Sequence, residues 1–171
     1  MRAAVTRSSE SSGRLSRLMR HLELKIPPLI VLAIAALLMW AIARATPRWT
    51  LPYPGRLLAA GALLVLGIAI MSMGVLAFRK ASTTVDPRSP ENTSQIVRSG
   101  IYRFTRNPMY LGMLIVLIAW MAWLSNVGAG FVPVLFALYI TRMQIVPEER
   151  ALAQKFGAEY QAYRDCVRRW L

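Results

Sequence analysis

Two short stretches of this chain hold most of its chemically capable side chains. The first, residues 99–112, reads Ser-Gly-Ile-Tyr-Arg-Phe-Thr-Arg-Asn-Pro-Met-Tyr-Leu-Gly and sets Tyr102, Arg106, Asn107 and Tyr110 at the mouth of an apolar run. Asn at an N-cap and Pro at the first helical position are what any helix start prefers, so a structural account of Asn107 and Pro108 stands ready. The same helix start leaves backbone amides free, and these suit the carboxylate of a bound molecule. The second stretch, residues 142–163, carries Pro147-Glu148-Glu149 and then Phe156-Gly157-Ala158-Glu159-Tyr160. Acids in a first helical turn are favourable by about 0.3 to 1 kcal/mol each, which again needs no function. Yet the chain has 8 acidic residues against 21 basic ones, so an adjacent pair of acids is conspicuous. A carboxylate there would pair with Arg106 or with a cationic ligand.

What must position these residues is a set of apolar helices. Four hydrophobic blocks, residues 24–45, 57–78, 109–124 and 127–146, each lie near the roughly 17 to 25 residues of a spanning helix. The third is shortest, about 24 Å as a helix, and is expected to thin the bilayer or to begin among the headgroups. None alternates polar with apolar residues as a barrel strand would. The turn at 125–128 is short enough to force an antiparallel hairpin. That reversal brings residues 106–110 beside residues 142–149. Beyond it, Leu152, Phe156, Tyr160, Tyr163, Val167 and Trp170 recur every three or four residues, the pattern of an amphipathic helix with a basic opposite face. Gly61, Gly67 and Gly74 in the second block are read as close-packing positions before ligand positions.

Composition agrees. The chain has 171 residues, 56% of them hydrophobic, and a mean hydropathy of +0.41, which excludes an ordinary soluble domain. The net charge of +13 is spread around the apolar blocks and does not form one basic domain, so nucleic acid is not the expected partner. Instead it orients the chain. Arginines and lysines crowd the N-terminal segment, the loop between the second and third blocks, and the C-terminal segment, while the turn at 125–130 has none. Both termini are therefore expected on the cytoplasmic side. The fold expected is all-α and integral to the membrane, with four transmembrane helices, an interfacial N-terminal helix and a C-terminal amphipathic helix. Residues 1–26 form a disordered and interfacial segment, and residues 27–171 one membrane domain. The run up to Ala45 also has features of a cleaved targeting segment, but its apolar part is longer than a usual signal core. Cys166 and His21 stand alone, so neither a disulfide nor a metal site is expected.

Taken in order, the two stretches resemble the signature of the isoprenylcysteine carboxyl methyltransferase and phospholipid methyltransferase superfamily. The resemblance runs over about residues 94–170. Its pattern, G-x-Y-x-x-x-R-[HN]-P-x-Y-x-G, is met by Gly100, Tyr102, Arg106, Asn107, Pro108, Tyr110 and Gly112. The later E-E and F-G-x-E-Y-x-x-Y are met by Glu148, Glu149, Phe156, Gly157, Glu159, Tyr160 and Tyr163. The resemblance implies S-adenosylmethionine as cofactor, a lipophilic acceptor, and a cofactor-binding part at residues 94–171 facing the cytoplasm. No G-x-G-x-x-G follows a strand, in keeping with a site built from helix ends. Cofactor contacts carried over by motif are Gln95, Ile96, Val97, Tyr102, Asn107, Pro108, Met109, Tyr110 and Glu148. Arg106, Asn107 and Glu148 form the implied catalytic set, with Glu148 anchoring the cofactor and Arg106 orienting a carboxylate.

Two positions depart from the prenylcysteine enzymes. Asn107 replaces histidine and cannot serve as a general base near neutral pH. Gln144 stands where those enzymes place an arginine for the substrate carboxylate, and Arg142, two residues away, would point elsewhere on a helix. Two other readings remain: a nicotinamide-dependent membrane reductase of the sterol-reductase type, and a non-catalytic protein whose basic loops bind anionic lipid.

Overall fold

The computed structural model describes residues 23–81 and 95–171, and the expectations for residues 1–22 lie outside them. The described residues are helical throughout, apart from turns and one isolated bridge between Thr50 and Asn126. We number the helices α1 (Pro28–Ala45), α2 (Arg56–Lys80), α3 (Pro108–Leu124), α4 (Phe131–Ile140), α5 (Val146–Phe156) and α6 (Ala158–Cys166). Three rods are long and apolar enough to cross a membrane: Pro28–Ala45, Arg56–Lys80 and the continuous run Gly128–Phe156. The fourth expected span, α3, has 17 residues, about 25 Å of helix.

Short as it is, α3 is the centre of the molecule. Leu117 is wholly buried and Tyr110 nearly so, packed with Met39 of α1 and Phe136 and Ile140 of α4. On its other side α3 meets α2 backbone to backbone. A Cβ added to Gly67 would lie 2.8 Å from the Gly112 carbonyl oxygen, and one added to Gly112 would lie 2.6 Å from that of Gly67. A third contact forms where Gly74 faces Met109, 3.0 Å from its Cγ. In lipid, where burial of apolar surface drives no helix association, such close approach is what holds helices together. Gly61 takes no part: a Cβ there meets nothing within 4 Å.

The hairpin turn is clasped to the first loop. Ser125 adopts the left-handed conformation at φ 52°. Asn126 donates to the Thr46 carbonyl (2.9 Å) and to the Thr50 hydroxyl (3.1 Å), and accepts from the Ala129 amide (3.1 Å). Backbone bonds from Leu51 to Ser125 (2.8 Å) and from Val127 to Trp49 (3.1 Å) complete the clasp.

Two expectations need correction. The fourth block does not stop at 146. It passes through a π-helical turn, Thr141–Ile145, directly into α5. Pro147 is one reason: lacking an N–H, it cannot bond to the Met143 carbonyl, which instead accepts from the Leu24 amide at 3.1 Å. Thr141 also bonds back to the Ala137 carbonyl at 2.7 Å, a contact that loosens the regular ladder. The single C-terminal amphipathic helix is in fact two, α5 and α6, broken at Gly157. There the backbone takes φ 51° and ψ −123°, a conformation that residues with a Cβ rarely adopt. After Cys166 the chain leaves the helix in an extended conformation at Val167, so Trp170 lies beyond α6.

Candidate functional site

The hairpin brings the start of α3 to the start of α5. There the Tyr110 hydroxyl donates a short hydrogen bond to Oε1 of Glu148. Tyr110 is buried and Glu148 half-buried. The negative charge of Glu148 also reaches Tyr102 in the turn Gly100–Arg103. Tyr102 packs edge-on against Phe78 with ring centroids 5.3 Å apart, and its carbonyl accepts from the Tyr163 hydroxyl at 2.8 Å. Burial first, and then the fields of Tyr163 and Glu148, hold the Tyr102 hydroxyl protonated well above the ordinary tyrosine range.

The second acid of the pair turns to different partners. Glu149, 8% exposed, takes a two-point contact from Arg169, Nε to Oε1 at 3.0 Å and a terminal nitrogen to Oε2 at 2.7 Å. Arg106 approaches the same carboxylate at 3.3 Å. The hydrogen bond to Glu149 raises the Arg169 pKa further, and burial, with Glu149 nearby, pushes the Tyr160 hydroxyl up to about 12. One carboxylate between two guanidiniums leaves this cluster one positive charge in excess. Moreover, Nε and Nη1 of Arg106 are buried with no hydrogen-bond partner among the described residues. A buried guanidinium with idle donors is suited to an anionic group.

The C-terminal segment stitches the mouth of α3 in place. The Arg106 amide donates to the Arg168 carbonyl at 3.0 Å. The Asn107 side-chain amide donates to the Arg169 carbonyl at 2.9 Å, and the Thr105 hydroxyl reaches the same oxygen at 3.4 Å. Asn107 thus holds the N-cap position of α3 but makes no side-chain cap. Its own backbone amide bonds to the Thr105 hydroxyl at 3.1 Å.

Of the residues singled out in the sequence, Tyr102, Tyr110 and Glu148 come together at this end of the bundle, while Arg106 pairs with the neighbouring Glu149. Asn107 is tied to the C-terminal segment, Pro108 is buried, and Met109 packs against Gly74 of α2. Val97 is buried against Ala77 and Tyr102. Ile96 turns to the separate cluster of Tyr160, Tyr163 and Val167. Gln95 is exposed, and its amide donates to the Ala81 carbonyl. Gln144 is wholly buried and donates to the Ile26 carbonyl at 2.8 Å. Arg142 bonds Glu23 at 3.1 Å, with Arg150 on the other oxygen at 3.2 Å. Neither Gln144 nor Arg142 joins the Glu148 cluster. Sequence reasoning missed Arg169 and the separate employment of Glu149. The available signal was the scarcity of acids beside an Arg-Arg pair at 168–169.

Comparison with known proteins gives two matches. The profile of the phospholipid methyltransferase family matches residues 56–159. An uncharacterized protein of Haemophilus influenzae (strain ATCC 51907 / DSM 11121 / KW20 / Rd) is 48% identical over 63 residues, which is 37% of this chain and the whole of that protein. No solved structure matches.

Proposed function

Since the chain belongs to the phospholipid methyltransferase family, we propose that the Glu148 site binds S-adenosylmethionine and that the chain passes its methyl group to a lipophilic acceptor. The donor set suits that cofactor, which has a carboxylate, an ammonium and ribose hydroxyls. Arg106, with two buried and idle nitrogens, would take the carboxylate. Glu148, whose first oxygen is already fixed by Tyr110, would take a cationic or hydroxyl group. Tyr102 would pack beside them. Glu149 is excluded from this role because Arg106 and Arg169 neutralise it.

The cofactor supplies a methyl group on a sulfonium sulfur, already electrophilic, so little acid or base help is required. What the protein contributes is position. Rigid placement of two reactants can replace several kcal/mol of barrier, and the Tyr110 bond and the C-terminal stitch make the mouth of α3 rigid. Asn107 takes no proton in this scheme; its amide keeps the Arg169 carbonyl in place. The acceptor enters from the bilayer between helices. We further propose that α3 crosses the membrane as a fourth span and that the Glu148 end faces the cytoplasm, where the basic residues gather.

The acceptor is a lipid or lipid-like molecule that is not anchored by a carboxylate of its own held at residue 144. Gln144 is buried and its amide serves the Ile26 carbonyl, so a prenylcysteine carboxylate would find no cation there. The observation that carries the proposal is the Tyr110–Glu148 contact beside a buried Arg106 that meets the neighbouring Glu149 and keeps two idle nitrogens. In nanodiscs, S-adenosylmethionine should raise the melting temperature of the wild type and not of Glu148→Ala, while NADPH raises neither. A wild type indifferent to S-adenosylmethionine overturns the reading, and stabilisation by NADPH turns it to a reductase. Lipid extracts incubated with labelled methyl donor would then identify the acceptor class.

A further inference from the structure

From near the start of α1 toward the end of the bundle that carries the hairpin clasp, the helices leave a second space. Both α1 and α2 rest on α3, and between them lies a cleft of about 700 Å³. Leu32 and Ala36 wall it from α1, Leu57 and Leu64 from α2, and Trp120 and Trp123 close its floor. The two tryptophans stack at 4.7 Å, and Trp120 is fixed by a 3.1 Å bond to the Ala36 carbonyl. A smaller space of about 400 Å³ adjoins it, with Trp123 lining both, and here the wall includes Trp40, Arg44 and Thr50.

The two spaces run along one face of α1. Leu29, Leu32, Ala36, Trp40 and Arg44 follow at helical spacing, so a greasy slot of about 22 Å ends in a guanidinium. That length exceeds the hydrocarbon depth of one leaflet, about 15 Å. Arg44 lies over the Trp40 ring, 5.6 Å from its centroid, and bonds no carboxylate among the described residues. Arg48 and Arg56 lie at the same end of the bundle, and residues 46–55 and 125–130 contain no acid.

We propose that this groove seats one anionic phospholipid of the leaflet opposite the Glu148 site, with its phosphate on Arg44 and one acyl chain along α1. A cation at the end of an apolar slot complements a molecule with one negative head and a hydrocarbon tail. A helix from a second copy fits less well. Every acid of the chain lies within 10–23, 86–91 or 148–165, so a copy in the same orientation brings none to the depth of Arg44.

The test is native mass spectrometry of the detergent-purified full chain supplied with phosphatidylglycerol or phosphatidylcholine. One phosphatidylglycerol should be retained per chain and phosphatidylcholine should be lost. Arg44→Gln should lower that retention about fivefold, the usual effect of one basic residue at an anionic lipid surface. Gly61→Trp should abolish retention, because its side chain grows from an open position on the cleft-lining face of α2. Circular dichroism and melting of both variants establish that they fold. Equal retention of the two lipids, or undiminished retention by a folded Arg44→Gln, overturns the proposal. So does a wild-type dimer that Gly61→Trp dissociates, which would make a second copy the occupant.

Discussion

The hydroxyl of Tyr110 and the carboxylate of Glu148, 38 residues apart in sequence, are hydrogen-bonded across the open end of the α3 to α5 hairpin, opposite its turn. The bond fixes one oxygen of Glu148, and under the proposed function the other receives the ligand. Tyr110→Phe keeps the ring that packs in the core and removes only the donor. Bonds to charged groups are worth about 1.5 to 3 kcal/mol, so S-adenosylmethionine should bind roughly tenfold or more weakly by calorimetry, with the fold intact.

The two neighbouring glutamates should fail in different ways. Glu149→Ala leaves Arg106, whose side chain is 10% exposed, with uncompensated buried charge, a loss of about 3 to 5 kcal/mol in comparable pairs. A large fall in melting temperature without ligand is expected. Glu148→Ala, which strands only the buried Tyr110 hydroxyl, should cost less, about 1 to 3 kcal/mol, and lose the response to cofactor. Identical behaviour of the two variants would contradict the division of roles.

Glycine positions offer a third comparison. Gly67→Ala pushes a methyl group against the Gly112 carbonyl and should part α2 from α3, lowering the melting temperature. Gly157→Ala meets no neighbour but must hold φ near 51°, a strain of about 1 to 3 kcal/mol. Gly61→Ala meets neither obstacle and should be neutral or slightly stabilising.

Alkaline pH should loosen the C-terminal helices. Tyr160 keeps its proton to about pH 12 in the folded chain, whereas an unfolded tyrosine loses it near 10. Above pH 10 the unfolded state therefore binds fewer protons, and stability falls as pH rises. Burial acts the same way on Tyr102 and Tyr163. Melting temperatures measured from pH 8 to 11.5 should hold steady and then drop beyond 10, with a shallower drop for Tyr160→Phe.

Much of this site could be read from residue order. Hydropathy located every apolar helix, and the shortness of the turn after Leu124 required the reversal that joins Tyr110 to Glu148. Local rules also placed Asn107 and Pro108 at the start of α3. They could not say that Asn107 would ignore its own helix, because the carbonyl it prefers belongs to Arg169, 62 residues away. Nor could periodicity find the break at Gly157, since Phe156 and Tyr160 keep a helical interval across it. The π turn before α5 arises from several contacts at once, involving Pro147, Leu24, Thr141 and Trp170. No window on one segment contains them all.

The stitching of residues 105–107 to the carbonyls of Arg168 and Arg169 also sets an order of events during synthesis. The apolar helices can enter the bilayer while the nascent chain is still being extended, but the carbonyls that hold Arg106 and Asn107 are absent until Arg168 and Arg169 emerge from the ribosome. The two sides of this contact are thus made far apart in time, and the stitch at the mouth of α3 closes only once residues 168 and 169 have been synthesised.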